Sequence, residues 1–133
     1  MRLGWGTDDP TFPQVFTSWQ LPAATREQAD AYNELQRMSA SPDSAVRYWE
    51  TAINIDVRDL LGQVKVPTLV FHVQDDRSVP IALGREIAAG IPGAQFVALP
   101  GKNHMLLEQD PGMAPFFREL RSFLRLPTKP QPV

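Results

Sequence analysis

The sequence predicts an α/β fold: two parallel strands with flanking helices, preceded by a helical segment. Three observations predict it. Val66 to Val73 reads almost continuously apolar and β-branched, the pattern of a strand covered on both faces, as in a parallel sheet. A second apolar run, Gln95 to Leu99, follows after a stretch with helical spacing. The order is strand, helix, strand, helix, and a right-handed crossover makes such strands parallel.

The elements follow in order. Residues 1–22 read as irregular, broken by Gly4, Gly6, Pro10, Pro13 and Pro22. Their aromatics Trp5, Phe12, Phe16 and Trp19 are too many for a solvated tail and should pack on something. Thr25 with Gln28 three residues later forms a capping box that opens a helix, and Tyr32, Leu35 and Met38, joined by Ala31, mark its apolar face. Ser41-Pro42 opens the next helix, serine as N-cap and proline in the first turn, with Ala45, Val46, Trp49, Ala52 and Ile53 at helical spacing. Asp56 caps a short turn through Leu60 and Leu61 that ends near Gly62. After the first strand, residues Pro80 to Ile91 read as a helix stopped by Pro92-Gly93. Residues Pro111 to Leu126 read as a closing helix carrying Phe116, Phe117, Leu120, Phe123 and Leu124 on one side. Residues 127–133 read as a frayed, disordered tail.

The 133 residues are enough for one domain, and 43% hydrophobic content is that of a globular protein. With 13 Lys+Arg against 15 Asp+Glu, the net charge of -2 gives no reason to expect binding to nucleic acid or to an anionic membrane. There is no cysteine, hence no disulfide framework, no thiolate ligand and no thiol nucleophile. That fits a reducing compartment, and the expected location is cytoplasmic. No apolar run approaches the ~20 residues that span a bilayer, and no basic-then-apolar leader opens the chain.

Two residues carry the chemistry. Asp76 follows the first strand and His104 follows the second, after Pro100-Gly101-Lys102-Asn103. In parallel sheets, function gathers outside the carboxyl ends of strands. A carboxylate and an imidazole placed there are the acid and base of a nucleophilic triad. Asp76 has a plainer reading, as a turn residue capping the helix near Pro80. Asp75 is the competing carboxylate, but alternation sends neighbours to opposite sides, and the spacing to Pro80 favours Asp76. His72 lies mid-strand between Phe71 and Val73 and is expected to be a core histidine, buried and distant from both. Arg77 and Lys102 read as solvated turn residues, and the tryptophans and phenylalanines as packing rather than pocket lining. No ligand spacing points to a metal, and no cofactor is expected.

From about Val64 to Leu124 the chain resembles the C-terminal half of the α/β-hydrolase fold. Asp76-Arg77-Ser78-Val79-Pro80 resembles the turn carrying that family's triad acid, and Gly101-Lys102-Asn103-His104 the turn carrying its triad histidine. Trp5-Gly6-Thr7-Asp8-Asp9-Pro10 and the stretches Asn33 to Arg37 and Ile55 to Leu61 are similar to a bacterial subgroup. In that subgroup, a hydrolase-like domain is often joined to a DNA-binding or nucleotide-cyclase module. The resemblance implies a helical cap or lid over residues 1–62 and the C-terminal part of the hydrolase core over residues 63–126. It also implies ester-type hydrolysis, with Asp76 and His104 catalytic.

One departure bears on activity. The family nucleophile sits in Gly-x-Ser-x-Gly, and none of Ser18, Ser39, Ser41, Ser44, Ser78 and Ser122 has glycines two residues away on both sides. The nearest aspartate elbow, Gly6-Thr7-Asp8-Asp9-Pro10, has proline at the second glycine and no strand before it. The oxyanion-hole segment is missing too, and Val73 stands where many members have glycine. The expectation is therefore a truncated or partial hydrolase, inactive alone, that acts on or binds a small molecule and that pairs with an N-terminal hydrolase half or with itself. The alternative is a non-catalytic ligand-sensing or interaction domain of a transcriptional regulator or signalling protein. Either way, the strand Thr68 to Val73 should lie at a sheet edge.

Overall fold

The computed structural model describes residues 11–125. The readings of Trp5, of the stretch 5–10 and of the tail 127–133 lie outside the described residues. Among the described residues six helices and two strands follow one another: α1 (Thr11–Gln20), α2 (Arg26–Ser39), α3 (Pro42–Ala52), α4 (Arg58–Leu61), β1 (Leu69–Val73), α5 (Ile81–Gly90), β2 (Gln95–Leu99) and α6 (Met113–Phe123).

The segment expected to be irregular contains α1. Pro13 falls in its first turn, where a missing N–H leaves no bond unmade. Phe12 and Phe16, one turn apart, stack at 6.3 Å, and Phe16 reaches Trp49 of α3 edge-on at 6.0 Å. The capping box of α2 forms as expected, with Gln28 N–H donating to Thr25 Oγ1 and Thr25 N–H to Gln28 Oε1. The inner face of α2, however, is not the apolar one. Leu35 and Met38 are exposed, whereas Gln36 is buried. Gln36 Nε2 donates to Thr17 Oγ1 of α1 at 2.8 Å, and that hydroxyl donates to Asn33 Oδ1 at 2.5 Å. A satisfied polar seam, rather than an apolar stripe, thus joins α1 to α2. Ser41 caps α3 with Pro42 in the first turn. Asp56 Oδ1 accepts from Arg58 N–H at the start of α4, which ends at Gly62.

β1 and β2 pair in parallel, in register from Leu69 with Gln95 to Val73 with Leu99. Phe71 meets Phe116 of α6, ring centroids 4.7 Å apart, while its neighbour His72 lies against Gly84 of α5. Successive strand residues point to opposite faces, so α5 and α6 cover opposite sides of the sheet. The buried centre holds Val73, Ala88, Ile91 and Leu99, but Leu69 to His72 are only half-buried. Among the described residues β1 and β2 pair only with each other, which leaves β1 with an open edge. α5 starts one residue later and ends one residue earlier than the sequence suggests. α6 starts two residues later than the sequence suggests and ends at Phe123.

Candidate active site

The chain leaves β1 through a turn built around Asp76. Its Oδ1 accepts the backbone N–H groups of Ser78 (2.7 Å) and Val79 (3.2 Å). Its Oδ2 accepts from His104 Nδ1 at 2.7 Å. One oxygen thus forms the turn and the other pairs with His104. The plainer reading of Asp76 as the cap of the helix near Pro80 does not hold, because α5 starts after Pro80 with no side-chain cap and Asp76 bonds to the turn before it. Asp75 is exposed and its backbone N–H donates to Gly101 O, tying the two turns together.

His104 follows β2 through Gly101, whose φ of 135° is a conformation that a side chain disfavours. The Asp76 side chain is 3% exposed and that of His104 37%. Burial pushes the Asp76 carboxyl up, but hydrogen bonds from His104, Val79 and Ser78 outweigh it and hold the group below the usual carboxylate range. An ionised carboxylate only accepts, so His104 donates from Nδ1, and in the neutral ring this leaves the Nε2 lone pair free. Such an imidazole can take a proton at Nε2 while the carboxylate steadies the resulting charge.

Residues that the sequence reading did not single out hold this pair. Asn103 is buried. Its Nδ2 donates to both oxygens of buried Asp110, at 2.9 and 3.0 Å, and its Oδ1 accepts from Ala23 N–H at 2.8 Å. Asp110 also accepts from Leu107 N–H at 2.9 Å. His104 N–H donates to Gln20 O at 2.7 Å, and Ser78 Oγ to Trp19 O at 3.2 Å. The end of α1 is thus bonded to the acid turn and to the histidine turn. A polar residue just before Pro111 was the only signal for Asp110, and nothing local paired it with Asn103.

His72 corrects an expectation. It is largely buried, but it is not distant from the pair: its Nε2 lies 3.7 Å from Asp76 Oδ2. Arg77 and Lys102 are exposed. A cleft of about 270 Å³ runs beside the pair, lined by Phe71, Val73, Leu99, Leu106 and Phe116 together with His72, Asp76 and His104. Among the described residues, no group of three or more His, Cys, Asp or Glu side chains could hold a metal ion, and no helix is long and apolar enough to cross a membrane.

Residues 24–111 match the family described as the alpha/beta hydrolase fold. The chain belongs to this family. The α/β-hydrolase chain is 33% identical over 88 residues to a non-heme chloroperoxidase of Kitasatospora aureofaciens, covering 65% of this chain and 32% of that protein. Over 41 residues it is 46% identical to a 2-hydroxy-6-oxononadienedioate/2-hydroxy-6-oxononatrienedioate hydrolase of Cupriavidus pinatubonensis, covering 31% of this chain and 14% of the relative. Among solved structures, an esterase from Exiguobacterium antarcticum superposes with a TM-score of 0.75 at 19% identity, over 89% of this chain and 43% of the esterase. An esterase from Rhodococcus sp. does so with a TM-score of 0.68 at 23% identity, over 90% of this chain and 44% of that one. At those identities the structures speak for the fold alone. The α/β-hydrolase chain spans about a third or less of its curated relatives and less than half of either esterase.

Proposed function

We propose that Asp76 and His104 are the acid and the base of an ester-type hydrolase site, and that the nucleophile they serve is supplied by residues outside these 133. The observation that carries this reading is the 2.7 Å bond between Asp76 Oδ2 and His104 Nδ1, with Oδ1 occupied by the turn. His104 Nε2 takes the proton of an attacking hydroxyl, the imidazolium is stabilised by the Asp76 carboxylate, and the proton then passes to the leaving alcohol. α1 to α4 would form a cap over that site, as the bonds that the carbonyls of Trp19 and Gln20 accept from the two turns, and the one that Ala23 N–H donates to Asn103, favour. The hydrolase relative from Cupriavidus pinatubonensis favours a small carbonyl compound as substrate, and the cysteine-free composition favours the cytoplasm.

Without a nucleophile, the chain alone should not turn over p-nitrophenyl acetate. Joined to an N-terminal portion of an α/β-hydrolase bearing Gly-x-Ser-x-Gly, it should hydrolyse the ester, and Asp76→Asn or His104→Ala should abolish the reaction. In a comparable triad, loss of the acid's charge costs on the order of 10⁴ in rate. Turnover that survives both substitutions in the joined protein would overturn the assignment. Turnover by the chain alone, lost on His104→Ala, would overturn the external nucleophile.

A further inference from the structure

Three residues close a path from β1 to the acid that the pairing with His104 does not require. His72 Nε2 lies 2.8 Å from Val79 O. A carbonyl only accepts, so in this contact His72 carries its proton on Nε2. The same Val79 donates its own N–H to Asp76 Oδ1 at 3.2 Å. One peptide residue is therefore held from both sides, its carbonyl by an imidazole of the strand and its N–H by the carboxylate. The Nε2 of His72 also lies 3.7 Å from Asp76 Oδ2, the oxygen that receives His104.

The ring has little freedom. Its side chain is 11% exposed. Its other face lies on α5, where a Cβ on Gly84 would come within 2.5 Å of His72 Nδ1 and 3.0 Å of its Cγ. Gly84 thus admits the ring by having no side chain, and the ring cannot swing towards α5. A side chain kept only to fill the core would need neither the donor at Nε2 nor this approach to helix backbone.

We propose that His72 is a positioning residue: it fixes the turn from Val73 to Pro80 through Val79 so that Asp76 Oδ2 faces His104. The path runs from the strand through His72, Val79 and Asp76 to His104. The proposal rests on Asp76 and His104 being an acid–base pair, but its test reads hydrogen bonds rather than hydrolysis.

The chain has two histidines, so nitrogen-15 spectra of its imidazoles can be assigned by removing each in turn. In the unaltered protein, with both rings neutral, His72 should hold its proton on Nε2 and His104 on Nδ1. His72→Leu, which fills space without a donor, should cost His104 its single Nδ1–H state, because a free imidazole favours the proton on Nε2. His72→Gln, which can still reach Val79 O with an N–H, should keep it. A core-filling role predicts the reverse order, leucine tolerated and glutamine penalised. The proposal falls if His72 of the unaltered protein is protonated on Nδ1, a measurement that needs no variant to fold. It also falls if His104 is unchanged in His72→Leu, or changed equally by leucine and glutamine. A His104 protonated on Nε2 in the unaltered protein would instead remove the acid–base reading itself, and this proposal with it.

Discussion

Asn103 is the residue whose loss should do most to loosen the histidine turn. Asn103→Leu keeps a branched side chain but removes three hydrogen bonds, two to the Asp110 carboxylate and one from Ala23 N–H. Bonds to a charged group contribute about 1.5–3 kcal/mol net, and a neutral one about 1 kcal/mol. Asp110 keeps Leu107 N–H, so its carboxylate is weakened rather than orphaned. The two contacts from the single Nδ2 to the carboxylate act as one forked bond, so the expected loss is one charged and one neutral bond, about 3 kcal/mol, against a total stability on the order of 5–15 kcal/mol for a domain. For a domain of this size, that lowers the melting temperature by about 10–15 °C. Thermal unfolding followed by circular dichroism measures it. Asn103→Asp should be worse at neutral pH, since it sets a second carboxylate against Asp110. The exchange Asn103→Asp with Asp110→Asn should recover most of the loss, because an amide again faces a carboxylate and Ala23 N–H still finds an oxygen. If Asn103→Leu melts within about 3 °C of the parent, or if the exchange is no better than Asn103→Asp alone, the tie between the histidine turn and the α1–α2 connection is not what holds this region.

Three further outcomes are expected. The folded Asp76 carboxyl lies below its ordinary value of 3.8, so its contribution to stability is present above that value and fades as pH falls through the folded one. Asp76→Asn should flatten the acid side of the stability curve, and melts of the two proteins that lose stability in parallel below about pH 4 would contradict this. Gly101→Ala should cost about 1–3 kcal/mol through backbone conformation alone, because the new Cβ meets nothing closer than 3.6 Å, at Val73 Cγ1; an unchanged denaturant midpoint would show the turn to be relaxed. The open edge of β1 and the exposed side chains of Ile53, Ile55 and Leu60 should make the isolated chain self-associate. Sedimentation that finds one monomeric species at all concentrations, with a sharp and concentration-independent melt, would refute it.

The sequence determined what depends on near neighbours. Thr25 with Gln28 and Ser41 with Pro42 place helix starts because a cap bonds to backbone three residues on. Within the apolar run from Val66, Leu69 to Val73 form β1, and Gln95 to Leu99 form β2, as composition suggests. Asp76 and His104 could be singled out because each ends a strand of a predicted parallel pair. Tertiary structure decided the rest, where partners are far apart along the chain. Leu35 and Met38 face solvent because Asn33 and Gln36 found Thr17, and no period in α2 reveals a polar partner in another helix. α1 is a helix despite its proline because Pro13 falls in the first turn and Phe16 meets Trp49. Asn103 read as part of a turn, and only folding brought Ala23 and Asp110 to its two ends. His72 looked like core from its apolar neighbours. Its contact with Val79 exists because the chain doubles back after Asp76 and returns a carbonyl to the strand, a distance in space that sequence separation does not encode.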